Sequence, residues 1–181
     1  MEYQIIKNFL PPELCKRMSD YMWQRYKDEK YYFDIQCKIS PAFMNPFRNP
    51  QKVYKEKLEN ILGISLWDTY NNARLYFKGE ILEPHKDKDQ CEIGSSITLG
   101  YSGNKPWPFF LYSHEKHKMI KVDLDIGDVL IYKGFELLHW RNPLEDEWQT
   151  QAFWFYNTND RHRDPLFPGI EDMQKTYEFM V

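Results

Sequence analysis

The residues whose types and spacing best suit a catalytic or metal-binding role are His85 and Asp87, with His139 much later in the chain. In a strand, residues two apart point to the same face, so His85 and Asp87 can address one point while Lys86 turns outward. A second imidazole from a distant strand would complete three ligands on one side of a metal. That set leaves the opposite positions open and suits non-haem Fe(II) that binds a co-substrate and O2. His-x-Asp pairs also occur by chance, so the surrounding pattern has to support this hypothesis.

Other carboxylates near His85 are weaker candidates. Asp89 and Glu80 are alternative ligands, but only Asp87 lies two residues from His85. The chain has no Ser/His/Asp order, no phosphate-binding glycine loop and no dinucleotide-binding glycine pattern. The sequence therefore gives no basis for predicting a hydrolase, a kinase or a dehydrogenase.

The remaining histidines have plainer contexts. His114 and His117 flank a predicted hairpin turn beside lysines, which indicates a solvated loop. His162 lies between two arginines, a basic patch that is usually plain surface although it could touch an anionic substrate. None of these three is predicted to bind the metal.

The composition limits which kinds of protein and which fold classes are possible. The 181 residues suffice for one domain with a sizeable core. A formal net charge of -3 gives no electrostatic reason to expect nucleic-acid or membrane binding. Aromatic residues make up 17% of the chain, and with 11 prolines and 8 glycines they favour a strand-rich barrel or sandwich.

Cysteine usage and the lack of targeting segments indicate a compartment. Cys15, Cys37 and Cys91 are odd in number and widely spaced, so they form no disulfide framework. No apolar run approaches the length of a membrane span, and the first residues do not resemble a signal peptide. The sequence therefore predicts a soluble, cytoplasmic protein.

The first third of the chain is predicted to alternate between strands and helices. The predicted elements are a strand at 3–10, a helix starting at Pro12, a strand at 31–39, a loop at 40–50 and a helix at 51–62. Proline is tolerated in a first helical turn, and the glycine at 63 ends the second helix. The helices are amphipathic, so each has one face that packs inward.

From residue 65 onward the apolar pattern has period two, which predicts strands. These are predicted at 67–77, 95–101, 107–112, 119–124, 129–132, around His139 and at 149–156. The expected architecture is one mainly β domain over 1–181 with helices packed outside it. Residues 1–64 would form the helical support, 65–157 the β core, and 158–181 a tail ending in a short helix.

Several motifs in this order resemble a known family. They are NFLPPELC at 8–15, RLYFKG at 74–79 leading to PHKD at 84–87, ITLGY at 97–101, and DIGDVLIY at 125–132 followed by LH at 138–139. Together they are similar to small Fe(II)/2-oxoglutarate-dependent dioxygenases of the prolyl 4-hydroxylase-like group. The resemblance implies a double-stranded β-helix (jelly roll) in which His85, Asp87 and His139 bind Fe(II), with 2-oxoglutarate as co-substrate and O2 as oxidant.

One feature departs from that family. Its members usually carry a lysine or arginine on the last core strand to hold the far carboxylate of 2-oxoglutarate, whereas residues 147–151 read EWQTQ. Arg141 is the best replacement, because two residues past His139 it faces the same interior and its fork suits a carboxylate. Tyr76 could donate its hydroxyl to the same carboxylate, and Arg74 is a second cation on that face. Arg141 could also be surface-paired, and Tyr76 an ordinary core residue.

The resemblance implies hydroxylation of an unactivated C–H bond, with succinate and CO2 as co-products. The substrate would be a peptidyl residue, prolyl as first guess, or a small amino-acid-like metabolite. Two alternatives stay open: a non-catalytic jelly-roll binding module, and a cupin-like metalloenzyme that does not use 2-oxoglutarate. The sequence indicates no nucleic-acid or membrane partner and leaves the oligomeric state undetermined.

Overall fold

The computed structural model describes residues 1–34, 36–37 and 39–158, and within these the fold is mainly β. The helices are α1 (Pro12–Lys27) and α2 (Arg48–Leu62). The strands are β1 (Tyr3–Ile6), β2 (Ala42–Met44), β3 (Trp67–Phe77), β4 (Leu82–His85), β5 (Ile93–Tyr101), β6 (Phe109–Ser113), β7 (Lys118–Val122), β8 (Val129–Tyr132), β9 (His139–Arg141) and β10 (Trp148–Asn157).

Both helices begin and end where local chemistry allows. Pro12 occupies the first turn of α1, where its missing N–H costs nothing, and Glu13 suits the positive end of the helix dipole. Helix α2 starts at Arg48, earlier than predicted, because Pro50 is tolerated in the first turn. It ends at Gly63, whose left-handed backbone, with φ of 68°, few other residues adopt readily.

The strands form two antiparallel sheets. The six-stranded sheet has the order β1-β8-β5-β10-β3-β2, and the four-stranded sheet has the order β4-β9-β6-β7. Strands β3 and β10 are the long central pair, in register from Trp67 opposite Asn157 to Phe77 opposite Trp148 apart from one bulge. This central strand pair carries many of the side chains that face the interior.

Alternation along β3 separates a packing face from an interior face. Leu75 belongs to the core cluster that includes Met18 of α1 and Trp154 of β10. Its neighbours on the strand, Arg74 and Tyr76, point to the opposite face and are also almost fully buried. The helices therefore cover the apolar face of the sheet, and polar side chains fill its inner face.

The predicted strand at 31–39 is wrong. Among the described residues of this stretch, only Tyr32 forms a bridge, to Ala42. The Oδ1 atom of Asp34 accepts the backbone N–H groups of Gln36 and Cys37 at 2.9 and 3.0 Å. Asp side chains compete in this way with strand pairing, so aromatic and branched neighbours do not suffice to make a strand.

The predicted loop at 40–50 is wrong in its middle. Strand β2 pairs antiparallel with β3, with Ala42 opposite Arg74. The strand is only three residues long. Because this stretch contains three prolines, the sequence pattern predicted neither β2 nor the early start of α2.

No helix in the described part of the chain is long and apolar enough to cross a membrane. All three cysteines are free thiols and buried. The short helix predicted for the tail, and His162, lie outside the described residues.

Candidate metal centre

His85 and His139 face each other across an antiparallel strand pair. His85 ends β4, His139 begins β9, and the two residues are register partners. Asp87 follows just beyond β4, where its backbone N–H donates to the carbonyl oxygen of Gly134 at 2.9 Å. The fold thus brings together the three residues that the sequence singled out, although Asp87 lies past the end of the strand.

The three side chains are spaced like a ligand set. The Nε2 atoms of His85 and His139 each lie 3.5 Å from the same oxygen, Oδ1 of Asp87. One candidate ligand atom from each residue lies within 4.8 Å of the other two. Bonds from first-row metals to such nitrogen and oxygen atoms are about 2.0–2.2 Å, so one ion can contact all three. Within the described residues no other group of three such side chains meets this criterion.

Backbone carbonyls set which imidazole nitrogen is available. His85 Nδ1 lies 2.8 Å from the carbonyl oxygen of Glu83, and His139 Nδ1 lies 2.9 Å from that of Leu137. A carbonyl oxygen can only accept, so Nδ1–H is the donor in each ring. In the neutral ring the lone pair is therefore on Nε2, which is the atom that faces Asp87.

Asp87 is held in its ionised form. Burial acts to raise its pKa, but the side chains of His139 and His85 outweigh burial, and the pKa of Asp87 lies well below its usual range. The hydroxyl of Tyr132 also donates to Oδ2 of Asp87 at 3.4 Å. A carboxylate is therefore ready to bind a cation at neutral pH.

Gly134 is a glycine because the chain approaches Asp87 closely at that point. A Cβ atom there would collide with Oδ2 of Asp87 and would lie 2.8 Å from the carbonyl oxygen of Cys91. The backbone bond between Gly134 and Asp87 requires this approach. The sequence showed the glycine but not the neighbour that it must clear.

The triad lines a cavity of about 390 Å³. This volume lies within the range of about 300–1,000 Å³ typical of small-molecule sites. Asn72 and Arg74 lie on a polar side of the cavity. Aromatic rings form much of the remaining wall, and these are Tyr32, Tyr70, Phe109, Tyr132, Phe153 and Phe155. The arrangement offers a metal position with room for small ligands beside it.

Arg141 is a buried cation without an acidic partner in the described chain. Its residue surface is 2% exposed. Nη1 donates to the carbonyl oxygen of Trp107 at 2.5 Å, whereas Nε and Nη2 have no hydrogen-bond partner among the described residues. Burial lowers the pKa of Arg141 to about 10. A buried guanidinium without an acidic partner is energetically costly, and an anionic ligand beside it would offset that cost.

Trp107 is contacted from both sheets. Gln149 of β10 accepts the backbone N–H of Trp107 at 2.8 Å, and Arg141 of β9 donates to its carbonyl oxygen. The Tyr76 ring packs 4.9 Å from the Trp107 ring. Gln149 lies on the strand where the resemblance leads us to expect a cation, and Arg141 enters the same space from the opposite side.

The two interior arginines differ in their surroundings. Arg74 lines the cavity and pairs with Asp34 at 2.5 Å. Arg141 and Tyr76 lie behind the cavity wall, although Arg74 Nη1 donates to the Tyr76 hydroxyl at 3.4 Å. The Phe109 ring separates Arg141 from the triad, since it stacks on His139 at 5.5 Å and lies 5.3 Å from the guanidinium.

The other residues considered from the sequence lie away from this centre. Glu80 is buried and accepts the backbone N–H of Ile39 at 3.1 Å. Neither Glu80 nor Asp89 joins the triad. His114 and His117 are exposed in the β6–β7 hairpin, as predicted.

Several polar residues of the site were missed as functional candidates. Gln149 and Gln151 lie two residues apart on β10, and Asn72 lies two residues from Arg74 on β3. Period-two polarity inside a strand-rich chain was the signal that could have found them. No local signal pointed to Asp34, which reaches Arg74 only through the fold.

No family model matches the sequence, and no curated protein matches it either. Solved structures do match. A prolyl-4-hydroxylase from Pseudomonas putida superimposes with a TM-score of 0.69 at 14% identity, covering 87% of this chain and 94% of that one. The viral collagen prolyl hydroxylase of Paramecium Bursaria Chlorella virus-1, in a 2OG complex, gives 0.63 at 14% identity, with coverages of 86% and 96%.

A third similar structure is a prolyl hydroxylase from Trichoplax adhaerens in complex with a hypoxia inducible factor peptide fragment. Its TM-score is 0.68 at 12% identity, with 90% of this chain and 86% of that chain covered. At such identities the likeness establishes the architecture. The chain therefore has the fold of the prolyl hydroxylases and of the wider group of 2-oxoglutarate/Fe(II) oxygenases.

Proposed function

We propose that the protein is an Fe(II)- and 2-oxoglutarate-dependent oxygenase that hydroxylates an unactivated C–H bond. One observation carries the proposal: His85 and His139 direct Nε2 toward the same oxygen of Asp87 at the wall of a cavity. Two imidazoles and one carboxylate on one side of an ion are the ligand set of such Fe(II) centres. The shared fold and its two facing antiparallel sheets, consistent with a jelly-roll core, support it.

The chain's own residues would hold and orient the reactants. His85, Asp87 and His139 would bind the ion, with Asp87 already ionised and both imidazoles already presenting Nε2. When bound, Fe(II), 2-oxoglutarate and O2 supply the oxidising chemistry, with succinate and CO2 as co-products. The aromatic wall would exclude water from the reacting groups.

Arg141 is our candidate for the far carboxylate of 2-oxoglutarate. Two of its guanidinium nitrogens lack partners among the residues that the structure describes, and a carboxylate accepts two parallel bonds from such a fork. Because Phe109 lies between Arg141 and His139, binding through Arg141 requires that ring to turn aside. Tyr76 packs on Trp107 next to the guanidinium and is the second candidate for the same carboxylate.

The substrate is proposed at the level of class. One similar structure holds a peptide fragment, and by that analogy one candidate is a peptidyl residue, prolyl as first guess. The cavity also fits a small amino-acid-like molecule.

A second candidate function is a metalloenzyme that does not use 2-oxoglutarate. It is favoured by Gln149 on the strand that usually carries the cation and by the position of Arg141 behind the cavity wall. A non-catalytic binding module with the same fold is a further alternative.

The test is an anaerobic titration of the metal-free protein with Fe(II) and then 2-oxoglutarate. We expect tight Fe(II) binding and a visible iron-to-keto-acid charge-transfer band. Fe(II) binding without the band would exclude the co-substrate and favour the metalloenzyme without 2-oxoglutarate. No Fe(II) binding would leave the binding module as the better account.

A further inference from the structure

The cavity contains an ion pair that takes no part in the metal and co-substrate binding proposed above. Arg74 Nη2 lies 2.5 Å from Oδ2 of Asp34, and the two side chains are 8% and 19% exposed. Both residues line the same cavity as the metal ligands. The pair therefore presents one positive and one negative charge to any molecule that enters.

Each of the two charged residues has contacts besides the ion pair. Arg74 stands in the middle of β3, opposite Gln151 of β10, and its guanidinium lies 5.6 Å from the centre of the Phe153 ring. Asp34 is fixed from the other side, because its Oδ1 atom accepts the N–H groups of Gln36 and Cys37 while Oδ2 faces Arg74. The ion pair is thus not the only contact that positions each group.

The neighbouring groups suit a small polar headgroup. Asn72 lines the cavity next to Arg74, and its amide nitrogen has no hydrogen-bond partner among the described residues. Lys86 and Lys88 are the other charged lining residues outside the triad, and both are exposed at the cavity rim. The remaining wall is mostly apolar.

The ion pair and the proposed metal ligands line one cavity. A molecule bound to Arg74 would therefore share that space with a ligand of the metal.

Charge balance then limits what can bind. A ligand with a lone carboxylate would take Arg74 and leave Asp34 buried without its cation, and a lone amine would do the reverse. A zwitterion replaces the internal pair by two external pairs and leaves neither charge unpaired. A residue inside a peptide offers neither charge.

We infer that the substrate of the proposed oxygenase is a free α-amino acid with a small apolar side chain, its carboxylate bound by Arg74 and its ammonium by Asp34. The inference rests on the proposed function and sets the substrate class of that site. The cavity of about 390 Å³ has room for a molecule of this size.

The test uses the full chain loaded anaerobically with Fe(II) and 2-oxoglutarate. Free L-proline, L-leucine, L-isoleucine and L-methionine are titrated by calorimetry while the charge-transfer band is followed. Their N-acetyl and carboxamide derivatives and a prolyl tripeptide serve as comparisons. We expect at least one free amino acid to bind and perturb the band, and its derivatives to bind at least roughly 10-fold more weakly. With O2 admitted, that amino acid should gain one oxygen atom as succinate forms.

Variants assign the two charges. Arg74→Gln should weaken binding of the amino acid roughly 10- to 100-fold and leave the affinity for 2-oxoglutarate unchanged, and Arg74→Lys should recover part of the loss. Asp34→Asn keeps an acceptor for the turn but removes the charge, so it should lower affinity for the free form and not for the N-acetyl form. Arg48→Gln is the matched control, because it removes the ion pair with Asp68 outside the cavity.

The outcomes separate this inference from the proposed function. If the band forms but only the tripeptide or the N-acetyl forms bind, the inference is wrong and the oxygenase stands. If Arg74→Gln weakens 2-oxoglutarate instead, the guanidinium belongs to the co-substrate and the inference also fails. If no band forms, the proposed function fails, and the same amino acids are titrated against the Fe(II) protein alone, where absence of binding overturns the inference too.

Discussion

His85 and His139 stand directly opposite each other on β4 and β9, with ring centroids 4.2 Å apart. Each ring is tied through Nδ1 to a backbone carbonyl only two residues before it in the chain. The position of both Nε2 atoms is therefore fixed by the sheet. Metal affinity should depend on these two residues nearly equally.

Removing any one of the three proposed ligands should abolish tight Fe(II) binding. We expect His85→Ala, His139→Ala and Asp87→Asn each to lower the affinity by more than the roughly 10- to 100-fold loss typical of outer partners. The measurement is anaerobic Fe(II) titration of the metal-free variants. His114→Ala in the exposed hairpin is the control, and it should bind as the unchanged protein does.

Arg141→Met should raise the dissociation constant of 2-oxoglutarate roughly 10- to 100-fold, because hydrogen bonds to charged groups contribute about 1.5–3 kcal/mol each. Fe(II) affinity should not change, since Phe109 separates the guanidinium from His139. The charge-transfer band reports both steps in one titration. An unchanged co-substrate affinity would move this role to another residue.

A lysine at position 149 should compensate for the loss of Arg141. Gln149 and Arg141 bond to the N–H and the carbonyl oxygen of the same residue, Trp107, so a cation at either position enters the same space. The double variant Arg141→Met/Gln149→Lys should therefore bind 2-oxoglutarate more tightly than Arg141→Met alone. The comparison variant Arg141→Met/Gln149→Met should show no recovery. Equal affinities in the two double variants would contradict the shared location.

Gly134→Ala should weaken metal binding roughly 10- to 100-fold by displacing Asp87. Gly103→Ala is the matched control, because its Cβ would also meet a carboxylate, that of Asp146, in a surface turn remote from the metal centre. Both variants are measured by Fe(II) titration, with thermal melting of the metal-free protein alongside. Equal metal affinities for the two variants would exclude a positioning role for Gly134.

Stability should fall as the pH rises from about 9 to about 12. Burial raises the pKa of the Cys15 and Cys37 thiols from 9.0 to about 12, and that of Tyr32 from 10.0 to about 12. The unfolded chain therefore loses these protons at lower pH than the folded chain, so their stabilising contribution is complete below pH 9 and disappears toward pH 12. Urea unfolding at pH 8 and 10.5 measures this fall. A Cys15→Ala/Cys37→Ala variant should show a smaller one, and an equal fall would assign the effect to other groups.

Period-two patterning predicted the strands of the β core well. The strand predicted at 67–77 has the same bounds as β3, and the β6–β7 hairpin forms around His114 and His117 as expected. The predicted helices form too, because proline and glycine mark their ends. These features depend on local chemistry, which a sequence displays directly.

Features that depend on distant neighbours could not be predicted in this way. The stretch at 31–39 has the composition of a strand, but Asp34 turns the chain and then pairs with Arg74 on β3. The closeness of Gly134 to Asp87, and the meeting of Gln149 with Arg141 at Trp107, also arise only when separate elements pack together. A single sequence records no such distances.

Contact with Trp107 from both sheets bears on how relatives of this chain are recognised. The charge expected on the last strand is absent there, yet the facing sheet delivers a guanidinium to the same backbone. If Arg141 binds the co-substrate, a sequence pattern that requires the cation on the last strand would miss this chain. A structural search that asks for a cation at this position in space, whichever strand carries it, should find such chains.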